Sequence, residues 1–160
     1  MTQGRRLRLE GRDHSRLLGA TATGQLAGRL GPVPAGDVVP ADQLAPVAPG
    51  TVDVVTSVGA LCGVDDVEAV LGAVRDALAP GGELRFVEHV GRVGAPGHLQ
   101  SWVDPLWSRL PFGCHVDRDV SGALRRVGFS VHSLDRFTIS TPVVVLRRWV
   151  RGVATPVGDR

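Results

Sequence analysis

Between residues 52 and 90 the spacing of apolar positions changes period twice. Val52 to Val58 is largely β-branched and nearly unbroken in apolar character, and Leu84 to Val90 is a second apolar run. Runs of this kind suit strands buried on both faces. Between them Val67, Val70, Leu71, Val74 and Leu78 recur at helical spacing, which predicts a helix over 65 to 79 with Glu68, Arg75 and Asp76 left to solvent. Asp65 is placed to cap this helix and Glu68 to return the bond. Pro80, Gly81 and Gly82 then end it, because proline cannot continue a helix and glycine frees the backbone to reverse. Strand, helix and strand make a βαβ unit, with parallel strands and a right-handed crossover.

The pattern extends in both directions. Residues 5 to 9, RRLRL, suit a short strand ending near Glu10, and Leu18, Ala22, Leu26 and Leu30 keep a four-residue rhythm that permits a helix within 13 to 30. Gly19, Gly24 and Gly28 weaken that helix by roughly 1 kcal/mol each against alanine. Residues 31 to 51 are rich in proline and glycine and read as a connection. Leu99 to Leu110, with Trp102, Leu106 and Trp107, has mixed helical spacings after a Gly/Pro-rich start. Val120, Ala123, Leu124 and Val127 mark a short helix, capped by Asp119 and ended by Gly128. The alternation from Phe129 suits a strand over 129 to 137, Val143 to Val150 a last strand, and Thr155 to Arg160 a frayed tail.

Composition narrows the class. The chain has 160 residues, 43% of them apolar and 21% charged, which supports one domain with a real core and does not suit a disordered chain. A formal charge of +2 is too mild to imply nucleic acid, and Arg147, Arg148 and Arg151 read as a solvated strand edge or rim. Cys62 and Cys114 stand far apart without a CxxC partner, so neither a zinc site nor a disulfide framework follows, and a reduced cytoplasmic setting is expected. No apolar run approaches the length of a membrane span, and the N-terminus lacks the apolar core of a secretory signal.

The acidic strand start at Asp53, Leu61-Cys62, the turn Leu78 to Gly82 and the strand end Glu88-His89-Val90 share one spacing pattern. Together they resemble the fourth strand, following helix and fifth strand of class I S-adenosylmethionine-dependent methyltransferases. The nearest group is type 11, the ubiquinone-biosynthesis-like enzymes with their thiol-methyltransferase relatives. Pro105-Leu106-Trp107, the Gly113 to Asp119 run (GCHVDRD, with Asp117 where the group has asparagine) and Arg151 to Ala154 resemble further motifs of that group. The resemblance is good over 52 to 154 and thin over 6 to 51. The family's first strand and its acidic-x-Gly-x-Gly-x-Gly loop have no counterpart in the chain. It therefore implies an α/β fold: an incomplete Rossmann-like methyltransferase sheet, mostly parallel with one antiparallel strand, lacking the first strand and helix.

By the same resemblance the cofactor is S-adenosylmethionine and the reaction is methyl transfer to a small-molecule acceptor. Glu10 matches the carboxylate that holds the ribose hydroxyls, with the alternative of a surface glutamate before a helix. Asp37 and Asp42 are both candidates for the adenine-binding acid, each with the alternative of a solvated turn aspartate. Ser57, Val58 and Leu61 should border the cofactor crevice, with Glu88 and Trp107 toward the acceptor. His89 is the first choice for a base, because imidazole titrates near neutral pH, and His115 is the second. For His89 the alternative is a strand-end histidine satisfied by backbone, for His115 a structural histidine, and for Trp107 a core residue.

Without the first strand, normally central between the second and fourth, two strands would need a new neighbour. A start assigned too late, an inactive remnant, or a shortened protein completed by a partner would each account for this. The alternative function is a non-catalytic interaction module or subunit whose open edge is buried in a homodimer or against a partner chain.

Overall fold

The computed structural model describes residues 4–11, 15–30, 35–44, 46–90, 115, 118–143 and 146–158. Its elements are β1 (Arg6–Glu10), α1 (Ser15–Leu30), β2 (Asp37–Pro40), β3 (Val52–Val58), a 3-10 turn (Leu61–Gly63), α2 (Val67–Ala77), β4 (Leu78–His89), α3 (Val120–Arg126), β5 (Phe129–Thr138) and β6 (Arg148–Pro156). They build a six-stranded sheet in the order β2-β1-β3-β4-β6-β5. The first four neighbours are parallel, and β6 runs antiparallel to both β4 and β5.

β1 and β3, the two strands expected to lack a neighbour, pair directly with one another. Leu7 lies beside Val55 and Leu9 beside Ser57, so the ladder continues without an interruption. The match is possible because both strands alternate in phase: Leu7, Leu9 and Val55 face one side, where they join Leu84 and Phe86 of β4. The sheet keeps β2 and β5 as its edges.

Two apolar layers cover it. On one face Val70, Leu71 and Val74 of α2 and Ala123 and Leu124 of α3 pack on Leu7, Val55, Leu84 and Phe86. An ion pair from Arg126 to Glu68 at 2.7 Å and a bond from Arg75 to the Val127 carbonyl at 2.9 Å join α2 to α3. On the other face Leu18, Ala22 and Leu26 of α1 pack on Val87, Phe137 and Trp149. The end of α1 is tied down as well, because Arg151 donates to the Arg29 carbonyl at 3.0 Å and Gln25 accepts from the Ser140 amide at 2.8 Å.

Four expected boundaries shift. α2 spans 67–77 rather than 65–79, and its cap is Asp66, which accepts from the Ala69 amide at 2.9 Å, not Asp65. Pro80-Gly81-Gly82 does not separate helix from strand. Leu78 already pairs with Val52, and the four residues Ala79 to Gly82 shift the register before pairing resumes at Glu83. Gly82 sits so close to the Val52 and Ala79 carbonyls, 2.9 Å from where a Cβ would lie, that no side chain fits. The last strand starts at Arg148 rather than Val143 and runs to Pro156 where a frayed tail was expected, because Ala154 and Trp149 are the residues that meet β4.

Candidate functional site

At the carboxyl ends of the parallel strands lies a cleft of about 450 Å³, the position at which open α/β sheets bind ligands. Glu10 closes β1 and reaches it from one side. Ala41 and Asp42, just beyond β2, form the next wall, held to β1 by a bond from the Ala41 amide to the Glu10 carbonyl at 2.9 Å. Gly63, Val64, Asp65 and Asp66, between the 3-10 turn and α2, supply the wall opposite. Four carboxylates, those of Glu10, Asp42, Asp65 and Asp66, thus border one cleft, and Asp66 also caps α2.

Glu10 and Asp42 border the same cleft. Asp37 does not: it opens β2 beside Leu7, at the amino end of the strand, and does not border the cleft. Ser57, Val58 and Leu61 do not border it either. Ser57 and Leu61 are wholly buried beneath the turn, and Gly63 and Val64 take the place expected of them. Next to Glu10, Gly11 lies against the turn so closely that a Cβ there would stand 2.4 Å from the Ala60 Cα. The ends of β1 and β3 are therefore in direct contact where they meet the cleft.

Glu88, expected toward the acceptor, is instead 0% exposed and bonded inward. Its Oε1 accepts from the Ser57 hydroxyl at 2.5 Å and from the Ala60 and Leu61 amides at 3.2 Å, and its Oε2 accepts from the Cys62 amide at 3.2 Å. Burial pushes its carboxyl above the ordinary value of 4.5, while the bonds from Ser57, Leu61, Cys62 and Ala60 pull the other way. The same turn is gripped from its carbonyl side. Arg118 donates through Nη1 to the Leu61 carbonyl at 2.8 Å and to the Val64 carbonyl, and through Nη2 to the Asp65 carbonyl at 3.2 Å. The His115 amide donates to the Cys62 carbonyl at 2.8 Å.

His89 is 1% exposed, at the end of β4, with its ring edge-on to Trp149 at 6.0 Å and 71°. His115 is half-buried against the turn, and neither histidine borders the cleft. Trp102, Trp107, Cys114 and Asp117 lie outside the described residues. Arg118, Asp65 and Asp66 are the site residues that sequence reasoning missed. The Arg-Asp pair at 118 and 119 was visible as part of a motif, but nothing in its spacing to Leu61 reveals a contact. Among the described residues no cluster of three or more His, Cys, Asp or Glu could hold a metal ion, and no helix is long and apolar enough to cross a membrane.

Comparison with known proteins finds methyltransferases. The type 11 "Methyltransferase domain" family matches residues 22–86. Human thiol S-methyltransferase TMT1A is 34% identical over 110 residues, 68% of this chain and 45% of its own length. Human thiol S-methyltransferase TMT1B is 34% identical over 101 residues, 62% of this chain and 41% of its own length. The chain thus spans less than half the length of these curated relatives. Among solved structures, an S-adenosylmethionine-dependent methyltransferase from Mesorhizobium loti superposes with a TM-score of 0.56 at 17% identity, covering 94% of this chain and 89% of that one. The [4+2]-cyclase SpnF superposes with a TM-score of 0.59 at 15% identity, covering 97% and 76%. At such identities the structural likeness speaks for the fold alone, and the cyclase marks how far chemistry can diverge on it.

Proposed function

We propose that the chain is the cofactor-binding part of a class I S-adenosylmethionine-dependent methyltransferase, and that the enzyme methylates a small thiol. The observation that carries this is the convergence of Glu10 and Asp42 on one cleft at adjacent strand ends. A cleft of about 450 Å³ accommodates a nucleoside. In this reading Glu10 accepts from the two ribose hydroxyls and Asp42 from the adenine amino group, while the backbone of Gly63 and Val64 borders the base. The thiol acceptor follows the names of the human relatives.

S-adenosylmethionine held there would supply a methyl group on a sulfonium sulfur, which an acceptor thiolate would take with release of a neutral thioether. A thiol already carries some thiolate near neutral pH, so alignment contributes more than proton abstraction. His89, packed on Trp149 where β4 pairs with β6, serves in this reading as a packing residue rather than as a base.

The fit is to the nucleoside end. Donors to the methionine carboxylate come, in this family, from the glycine-rich loop, and the chain has no such run. Loss of two charge-assisted bonds worth roughly 1.5 to 3 kcal/mol each takes a micromolar site to about the millimolar range or beyond. Titration of the 160-residue chain with S-adenosylhomocysteine, S-adenosylmethionine and adenosine, followed by amide chemical shifts, tests the proposal. The expected result is weak binding of all three with similar affinity, abolished by Glu10→Ala and weakened by Asp42→Ala. Binding untouched by both substitutions, or no binding of any of the three, overturns it. Micromolar binding that Glu10→Ala abolishes would mean that the cofactor's methionine end has found other partners.

A further inference from the structure

We propose that Glu88 and Arg118 are positioning residues for the cleft, acting together on the backbone from Ala60 to Asp65 and touching no ligand themselves. This rests on the reading that the cleft takes the nucleoside of the cofactor. The 3-10 turn is too short to satisfy its own ends, since a turn of three residues leaves its first amides without acceptors and its last carbonyls without donors. Glu88 accepts from the amides of Ala60, Leu61 and Cys62 at the start of the turn. Arg118 donates to the carbonyls of Leu61, Val64 and Asp65 at its end.

The signs match the ends. A carboxylate stands at the amide end of the turn and a guanidinium at the carbonyl end, each complementary to the local backbone dipole. The bonds from Arg118 are charge-assisted, the stronger kind, and the planar guanidinium spans carbonyls that a single ammonium could not reach together. The residues so fixed run directly into Gly63, Val64, Asp65 and Asp66, which wall the cleft. The two clamps come from different parts of the chain, the end of β4 and the segment before α3. The cleft wall is therefore set by tertiary contacts rather than by the local sequence of the turn. A wall held in its binding geometry spares the ligand the cost of ordering it.

The experiment compares Arg118→Met, which keeps the apolar stem, with Arg118→Lys and with wild type. Amide hydrogen exchange is read at residues 60–66 against β3 and β4, and S-adenosylhomocysteine affinity by shift titration. The expected result for Arg118→Met is exchange at 60–66 faster by about tenfold to a hundredfold, with β3 and β4 protection unchanged and affinity reduced by about tenfold. Arg118→Lys should fall between the two. Unchanged exchange at 60–66, exchange that rises equally across the whole sheet, or unchanged affinity despite a loosened turn each overturns the positioning role. Absence of S-adenosylhomocysteine binding in wild type would sink the proposed function instead, and the exchange data would still decide whether Arg118 holds the turn.

Discussion

Leu71→Asp is expected to abolish the cooperative thermal transition of the domain. Leu71 is 0% exposed at the centre of the α2 face, among Val70, Val74, Leu7, Val55, Leu84 and Phe86. Removal of the leucine side chain alone costs about 2 to 5 kcal/mol. The aspartate adds the penalty of placing a carboxyl among the apolar side chains of that cluster. The sum is comparable to the whole stability of an ordinary domain, about 5 to 15 kcal/mol. Circular dichroism on heating should show a featureless drift in place of a sigmoid. Asp76→Asn, on the exposed side of the same helix, should stay within about 0.5 kcal/mol of wild type. A normal transition in Leu71→Asp would mean that α2 packs by a different face.

The βαβ unit was legible because its residues carry two clean periods, and a helical stripe between β-branched runs admits few other structures. The alternation of Leu7 and Leu9 and the four-residue rhythm of Leu18, Ala22 and Leu26 were legible for the same reason. What periodicity could not supply was the choice between adjacent equivalents. Asp65 and Asp66 are both able to cap, and only the actual turn decides that Asp66 does. Val143 and Leu146 look like the start of the last strand. They are instead apolar residues of a turn, closed by the Leu146 amide on the Val143 carbonyl at 3.0 Å, that pack with α1 and Trp149. Short apolar runs bury equally well from a turn and from a strand.

The site divides along the same line. Glu10 and Asp42 stand at strand ends, and strand ends in a parallel sheet converge, so their meeting followed from the topology. Direct pairing of β1 with β3 did not, because a sequence marks its strands and not their order in the sheet. Glu88 was misplaced for a third reason. A glutamate at a strand end beside the crevice reads as aimed at a ligand, and only the fold of Gly59 to Gly63 over it shows that backbone amides take its oxygens.

Replacement of Glu88 is accordingly expected to cost stability. Glu88→Leu removes the expense of burying a carboxylate, which by itself would stabilise. It also leaves the Ser57 hydroxyl and the amides of Ala60, Leu61 and Cys62 without their acceptor, and the three amides are backbone groups that no substitution removes. The second effect wins, since each buried orphan costs about 1 to 3 kcal/mol, and a net loss of about 3 to 5 kcal/mol is expected.

Glu88→Gln keeps one oxygen but turns an N–H toward the Cys62 amide, so its loss is smaller, and it isolates the charge. Because burial raises the folded carboxyl above 4.5, the folded chain holds more protons than the unfolded one from pH 4.5 up to the raised value. Stability then falls as pH rises through that window and levels above it. Other carboxylates are common to both proteins and cancel in the difference. Urea denaturation of wild type and Glu88→Gln from pH 4.5 to 8 should give a wild-type advantage that is largest at the acid end and shrinks as pH rises. An advantage that grows with pH would mean that the four donors outweigh burial and hold the Glu88 carboxyl below its ordinary range.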